Sequence, residues 1–345
     1  MSKRLESFCA LAYGVVGPSH KRVGMPNQDS CLVSGGGDGV SGPLMVMVAD
    51  GHGSARCFRS ERGSRFAVET AAAVMGEYAG RLGAVDRAGG EELLRSAVVP
   101  AIVSGWRERV RMDLAREGVT VGELEKMGGA AGEKARQAAE KAAGENYIAY
   151  GSTLLVVMAV ARGFAVLQVG DGDMLMVERG GRHADGAGGG EKVVELLPED
   201  ATLMADETTS LCQSDCEGKF RVRFVERGDV EEPVLIQLST DGYGNSFSTR
   251  AGFEKTPLDY LALLREHGRS VLDEHMEQWL AETTGGGSGD DCTVGLMYRC
   301  ELPPPMPRLE VVEVKGEAGV NVAATLAQSG EGGGARRVDG EVASG

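Results

Sequence analysis

Leu154-Leu-Val-Val-Met-Ala-Val-Ala161, Arg162-Gly163, Phe164-Ala-Val-Leu-Gln-Val169, Gly170-Asp-Gly-Asp173 and Met174-Leu-Met-Val-Glu178 follow one another without interruption through the middle of the chain. Short apolar runs rich in Val, Leu and Met, each stopped by turn residues, read as buried strands. The linkers between them are too short for the crossover that a parallel pair needs, so the stretch reads as an antiparallel meander. Its middle run ends at Asp171-Gly172, and two distant runs end the same way. They are Pro43-Leu-Met-Val-Met-Val-Ala-Asp50-Gly51 and Val234-Leu-Ile-Gln-Leu-Ser-Thr-Asp241-Gly242. Three strands would each deliver a carboxylate at the C-terminal end, beside a glycine that lets other groups come close. Clustered aspartates raise one another's pKa unless a divalent cation lies among them. Ligation by oxygen alone suits Mg²⁺ or Mn²⁺. Asp-Gly is also a common turn dipeptide, and any single instance reads more readily that way.

Working outward, residues 8–16 and 44–49 read as strands. Between them lies a polar, glycine-rich segment with Ser19-His20-Lys21-Arg22 and Pro26-Asn27-Gln28-Asp29-Ser30. Helical spacing of Phe66, Val68, Ala71, Ala72 and Met75 predicts a helix over 60–79. Ile102, Trp106 and Val110 predict another over Ala101–Ala115. Residues 118–146, rich in Ala, Glu, Lys and Gly, read as a mobile insertion. Residues 183–192 read as a loop, and 198–230 as an excursion from the sheet. One last helix, Pro257–Glu282, precedes Gly285-Gly-Gly-Ser-Gly-Asp-Asp291 and the strand Cys292–Tyr298. The order of elements predicts an α+β domain over 1–300, with helices layered on antiparallel sheets. Residues 301–345, opening on Pro303-Pro-Pro-Met-Pro307 and then without periodicity, read as a disordered tail and spacer.

The 345 residues carry a formal charge of −15, which argues against nucleic acid or an anionic membrane as partner. No apolar run approaches bilayer length, and Met1-Ser-Lys-Arg-Leu-Glu-Ser7 lacks the apolar core of a signal peptide. The seven cysteines are odd in number and scattered, with Cys212 and Cys216 the only close pair. They predict neither a disulfide framework nor a zinc site, and so a cytoplasmic protein.

Six elements then resemble, in order, the motif series of the metal-dependent protein phosphatases, the protein phosphatase 2C or PPM family, in a bacterial-type branch. They are Asn27-Gln-Asp-Ser30, Val48-Ala-Asp-Gly-His-Gly53, Gly151-Ser-Thr153, Val169-Gly-Asp-Gly172, Ser239-Thr-Asp-Gly242 and Asp290-Asp-Cys-Thr-Val294. The resemblance spans about residues 10–299 and implies a β-sandwich of two antiparallel sheets flanked by helices. It implies two Mg²⁺ or Mn²⁺ ions bridged by Asp50, with the Gly51 carbonyl as a further ligand. Asp241 and Asp290 would complete one ion's site, Asp29 would stand near the metal waters, and Asp171 with Asp241 would hold a third, weaker ion. Residues 198–230 fall where the family carries its flap.

The implied activity is hydrolysis of phosphoserine or phosphothreonine in a protein, by direct attack of a metal-bridging hydroxide without a covalent intermediate. His52 is the candidate general acid. Three positions depart from the family pattern. Gly24 stands where the phosphate-gripping arginine is expected, which makes Arg22 the candidate clamp and His20 a second source of positive charge. Gln28 replaces a glutamate, and Asp291 replaces an asparagine. The alternatives are a phosphoprotein-binding pseudophosphatase and a hydrolase of small phosphate esters. The expected form is a monomer, with any regulator binding at 118–146 or the tail.

Overall fold

The computed structural model describes residues 8–35, 42–120, 122–123, 147–180, 190–197, 209–226 and 232–302, together with the backbone of 309–316 and 319–326. Ten strands form two five-stranded sheets, antiparallel throughout. One contains, in spatial order, β1 (Phe8–Val15), β10 (Cys292–Arg299), β9 (Glu232–Ser239), β6 (Asp173–Arg179) and β7 (Glu191–Glu195). The other contains β2 (Ser30–Ser34), β3 (Met45–Ala49), β4 (Leu154–Val160), β5 (Gly163–Val169) and β8 (Arg221–Glu226).

Alternation along the strands shows how the layers stack. Val46 and Val48 of β3, Leu155 and Val157 of β4, Val166, Met176, Ile236, Leu238 and Met297 form the core between the sheets. From the opposite face of β3 and β4, Met45, Met47, Leu154, Val156 and Met158 pack beneath two long helices, α2 (Ser60–Leu82) and α4 (Val99–Arg116). The other sheet turns Leu175, Val177, Leu235, Val294 and Leu296 toward α8 (Thr256–His267) and α9 (Arg269–Gly286). The result is four layers: helices, sheet, sheet, helices. β3 is apolar throughout because both of its faces are covered. The smaller helices are α1 (Pro18–Val23), α3 (Arg87–Leu93), α5 (Cys216–Lys219), α6 (Asp241–Gly244) and α7 (Arg250–Glu254).

The sandwich expected from the sequence is present, and several local readings are corrected. β4 and β5 do pair, but β6 lies in the opposite sheet between β9 and β7. Gly170-Asp171-Gly172 is therefore a corner between sheets. The short-linker rule assumed that all three strands shared one sheet. Gly170 turns the corner at φ +110°, where a Cβ would lie 2.4 Å from the Cβ of Thr153. The single terminal helix is two, α8 and α9, separated at Gly268 with φ +73°. Within the presumed excursion, Arg221–Glu226 returns to the sheet as edge strand β8 beside β5. Its alternation of Arg221, Val222, Arg223 and Phe224 was the signal for that return. β2 and α3 had no counterpart in the sequence reading. In the tail, the backbones of β11 (Leu309–Gly316) and β12 (Gly319–Leu326) pair as an antiparallel hairpin, where no structure was expected.

One disulfide joins Cys9 to Cys300, 291 residues apart, contrary to the expectation of free thiols. The spacing hid it. Antiparallel pairing of β1 and β10 places Cys9 across from Tyr298, beside the end of β10. Most of the insertion and residues 198–208 lie outside the described residues.

Candidate metal centre

Three separate elements converge on one point at the edge of the sandwich. Asp50 directly follows β3, Asp171 sits in the corner after β5, and Asp241 opens α6 after β9. Each offers a carboxylate oxygen, and the three atoms lie within 4.8 Å of one another. The backbone holds Asp50 firmly. Its N–H donates to Thr153 Oγ1 at 2.8 Å, and its carbonyl accepts from the N–H of Thr153 at 2.9 Å. Gly51 bridges to Ser152 and packs so closely that a Cβ would lie 2.5 Å from the Gln28 carbonyl and 2.8 Å from that of Ser60. Only glycine fits between those two segments.

Asp29 is buried beside the group and accepts a hydrogen bond from Thr240 Oγ1 at 2.8 Å. Burial pushes its carboxyl well above the usual carboxylate range, and the charges of Asp291 and Asp241 push it further. Burial likewise raises Asp50, with Asp29 and Asp241 adding to the effect. Asp241 is raised by burial and by the charges of Asp171 and Asp290. Carboxylates desolvated together, each raised by the charge of its neighbours, form an oxygen donor set suited to a hard divalent ion. The residues present therefore fit the metal that the motif series implies.

Asp290 stands slightly apart from this trio. Its side chain is 55% exposed and forms a second close group with His20 and Asp291. His52 is half-buried. Its backbone N–H donates to the Gly151 carbonyl at 3.2 Å, and its ring lies against Gly151. Burial lowers the His52 pKa, while the Asp171 charge pulls it upward. Arg22 is exposed on α1, where its guanidinium donates to Ser19 Oγ at 3.1 Å within the same helix.

Two features escaped the sequence reading. Asp291, noted only as a departure, is a buried staple. Its Oδ1 accepts from the N–H of Gly17 at 2.7 Å and its Oδ2 from that of Gln28 at 2.6 Å. Arg59 is fully buried at the start of α2. Its guanidinium grips both carboxylate oxygens of Glu123, at 2.6 and 3.0 Å, and the carbonyls of Glu117 and Gly118, at 2.8 and 2.9 Å. It also donates to the Tyr150 hydroxyl, which in turn donates to Asp113. Arg62 and Arg116 bond Asp113 as well. Nothing in the residues next to Arg59 in the sequence foretells such burial.

The family model for protein phosphatase 2C matches residues 16–282. The chain belongs to the protein phosphatase 2C family. Among solved structures, a bacterial serine phosphatase is similar at 13% identity and TM-score 0.48, over 84% of this chain and 97% of that one. The phosphatase Stp1 of Staphylococcus aureus is 12% identical at TM-score 0.47, over 86% and 98%. The catalytic domain of PstP, solved in complex with two manganese ions, is 15% identical at TM-score 0.46, over 84% and 97%. No curated protein sequence matches the chain. Among the described residues, no helix is long and apolar enough to cross a membrane.

Proposed function

We propose that this member of the protein phosphatase 2C family is a cytoplasmic, monomeric serine/threonine phosphoprotein phosphatase that uses two Mg²⁺ or Mn²⁺ ions and a third, weaker one. The observation that carries the reading is the convergence of Asp50, Asp171 and Asp241 from three strand ends in a chain that the protein phosphatase 2C model matches over residues 16–282. In our reading Asp50 and the Gly51 carbonyl hold the two ions. Asp241 and Asp290 complete one site, and Asp171 with Asp241 holds the third. When bound, such ions make water more acidic and offset charge on the phosphoryl oxygens.

The remaining work falls to the chain. Asp29, fixed by Thr240, orients water beside the centre. His52, whose proton affinity burial lowers and the Asp171 charge raises, would in its protonated form donate a proton to the leaving alkoxide. Arg22 projects from α1 as the candidate grip on the substrate phosphate. Its bond to Ser19 favours a second reading, in which phosphate is held weakly and turnover is slow.

The test is phosphate release from a phosphothreonine peptide, compared with a small aryl phosphate, as Mn²⁺ or Mg²⁺ is titrated into metal-free protein. Metal-dependent release from the peptide, lost in Asp241→Asn, supports the reading. Release from the small ester alone points to a different hydrolase, and peptide binding without release points to a pseudophosphatase.

A further inference from the structure

The geometry points to a cation position with a nitrogen donor, in which His20 and Asp290 are ligands, Gln28 supplies an amide oxygen, and Asp291 orients the imidazole. Its consequence is a preference for Mn²⁺ or another transition ion over Mg²⁺. It concerns cation binding alone and stands whether or not the chain hydrolyses a phosphoprotein.

The backbone places His20 with little freedom. The N–H of Ser19 donates to the Gly289 carbonyl at 3.0 Å, and Asp291 clasps the N–H groups of Gly17 and Gln28. The start of α1 lies so tightly on the 289–291 turn that a Cβ at Gly17 would stand 2.2 Å from the carbonyl carbon of Asp290. Six residues of helix are thus docked on the turn that carries both aspartates, and His20 is delivered between them.

Its side chain is 13% exposed. Nδ1 lies 2.9 Å from Asp291 Oδ2, off the line of a good hydrogen bond. Nε2 lies 3.6 Å from Asp290 Oδ1. That second distance is too long for a hydrogen bond. Two atoms bound to one ion at about 2.1 Å, at angles between octahedral and tetrahedral, stand about 3.0–3.4 Å apart. The Nε2 to Oδ1 separation is within a few tenths of an ångström of that span. Asp291, with both oxygens already accepting backbone N–H groups, is suited to aim the ring rather than to bind the ion. A small turn of the ring would bring Nδ1–H onto Asp291 Oδ2 and so complete a carboxylate–histidine–metal arrangement.

An independent observation points to the same gap. Gln28 is 4% exposed, and its Nε2 donates to Ser60 Oγ at 2.6 Å, while its Oε1 has no hydrogen-bond partner among the described residues. The point where a Cβ of Gly53 would stand is 3.6 Å from Gln28 Oε1 and 3.5 Å from His20 Nε2. The orphan acceptor and the imidazole nitrogen therefore open on one space. A purely internal ion pair of His20 with the aspartates would leave that buried acceptor unmet, whereas a cation or its water satisfies it. Imidazole among oxygen donors shifts preference from Mg²⁺ toward first-row transition ions.

The experiment uses the full chain without a purification tag, stripped of metal, labelled with ¹⁵N-histidine, and titrated with Mn²⁺ alone. Pulsed electron paramagnetic resonance reads imidazole nitrogen coupled to the bound Mn²⁺. The expected result is coupling in the wild type and in His52→Asn, and its loss in His20→Asn. Mn²⁺ affinity should fall about 10-fold or more in His20→Asn, and the ratio of Mn²⁺ to Mg²⁺ affinity should narrow. A melting curve of the metal-free variant checks its fold, and His20→Gln replaces it if the asparagine variant does not fold. Bound Mn²⁺ without nitrogen coupling, or coupling that persists without His20, overturns the inference and leaves the phosphatase reading intact. Failure to bind Mn²⁺ at all overturns both.

Discussion

At either end of the segment from Asp50 to Arg59, the molecule buries charge, and it resolves the two burials in opposite ways. At Asp50 the neighbours are Asp29, Asp171 and Asp241, and the carboxyl groups raise one another. At Arg59 every donor meets an acceptor: Glu123, the Glu117 and Gly118 carbonyls, and Tyr150. The first region is unfinished in that carboxylates raise carboxylates, a set suited to an added divalent cation, and the second is complete within the chain. A binding site and a structural joint can thus be built from the same residue types. The difference is whether the charged neighbours repel, as around Asp50, or attract, as around Arg59.

The comparison breaks most visibly through activity. Asp50→Asn removes a ligand placed between two proposed ion positions, and turnover should fall by about 1,000-fold or more, a loss of several kcal/mol of transition-state stabilisation. The same change should leave metal-free stability equal to or above that of the wild type, because it relieves repulsion. Peptide hydrolysis and urea unfolding, run on the same preparation, separate the two effects. If metal-free Asp50→Asn unfolds more readily than the wild type, the carboxylates are not repelling one another.

Arg59→Ala should do the reverse. Removing one member of a completed buried network strands the others, at a cost of about 3–5 kcal/mol. Urea denaturation without metal reads that loss, and saturating Mn²⁺ should not abolish the difference from wild type. A loss below about 1 kcal/mol would mean that the network behaves as a solvated surface pair.

Metal should stabilise only the unfinished region. At a hundredfold excess over its dissociation constant, Mn²⁺ should raise the unfolding free energy of the wild type by about 2.7 kcal/mol. It should do little for Asp241→Asn, and it should stabilise Arg59→Ala by as much as it does the wild type. Thermal melts across a Mn²⁺ series provide the measurement.

The two regions should also respond to pH with opposite sign. Carboxyls raised in the native state, Asp29 to about 8 from an ordinary 3.8, make the metal-free native protein bind more protons than the unfolded chain. Their stabilising effect is present below the ordinary value and is lost as pH rises through the raised one, with a slope of about 1.4 kcal/mol per pH unit for each extra proton. Asp113 and Glu123 are lowered, through Tyr150, Arg62 and Arg59, so their contribution is present at neutral pH and lost on acidification. Metal-free wild type should therefore lose stability between about pH 4 and 8, and Asp29→Asn should flatten that slope. A slope unchanged in Asp29→Asn would remove Asp29 as its source.

How much of this was legible in the sequence follows the range of the interactions. Each Asp-Gly stop was visible locally, since strand and turn are written within ten residues of Asp50, Asp171 and Asp241. The layered sandwich followed from those strands and from the motif order. The sheet change at Gly170 was hidden because a corner and a hairpin turn use the same residues. The break at Gly268 was hidden because apolar spacing continues on both sides, from Leu264 to Leu272. The pairing of His20 with Asp290 and Asp291, like that of Cys9 with Cys300, joins opposite ends of the chain through the β1–β10 ladder. Such contacts are consequences of the fold and have no local pattern.

The smallest expected effect tests the border of the unfinished region. Arg22 was the sequence's candidate to grip phosphate, yet it is exposed and donates to Ser19 in its own helix. An exposed arginine contributes little through charge alone, about 0–1 kcal/mol in solvent. Arg22→Ala should therefore raise KM for a phosphothreonine peptide by no more than about fivefold and leave kcat unchanged, since a contact made equally in ground and transition states affects binding alone. Raising the salt concentration should erase even this difference, because solvent-exposed charges are screened. A larger KM change that survives high salt would mean that Arg22 leaves Ser19 and enters the centre with substrate. Arg22 would then be part of what completes the aspartate cluster, and the line between the two regions would have to be drawn on the far side of α1.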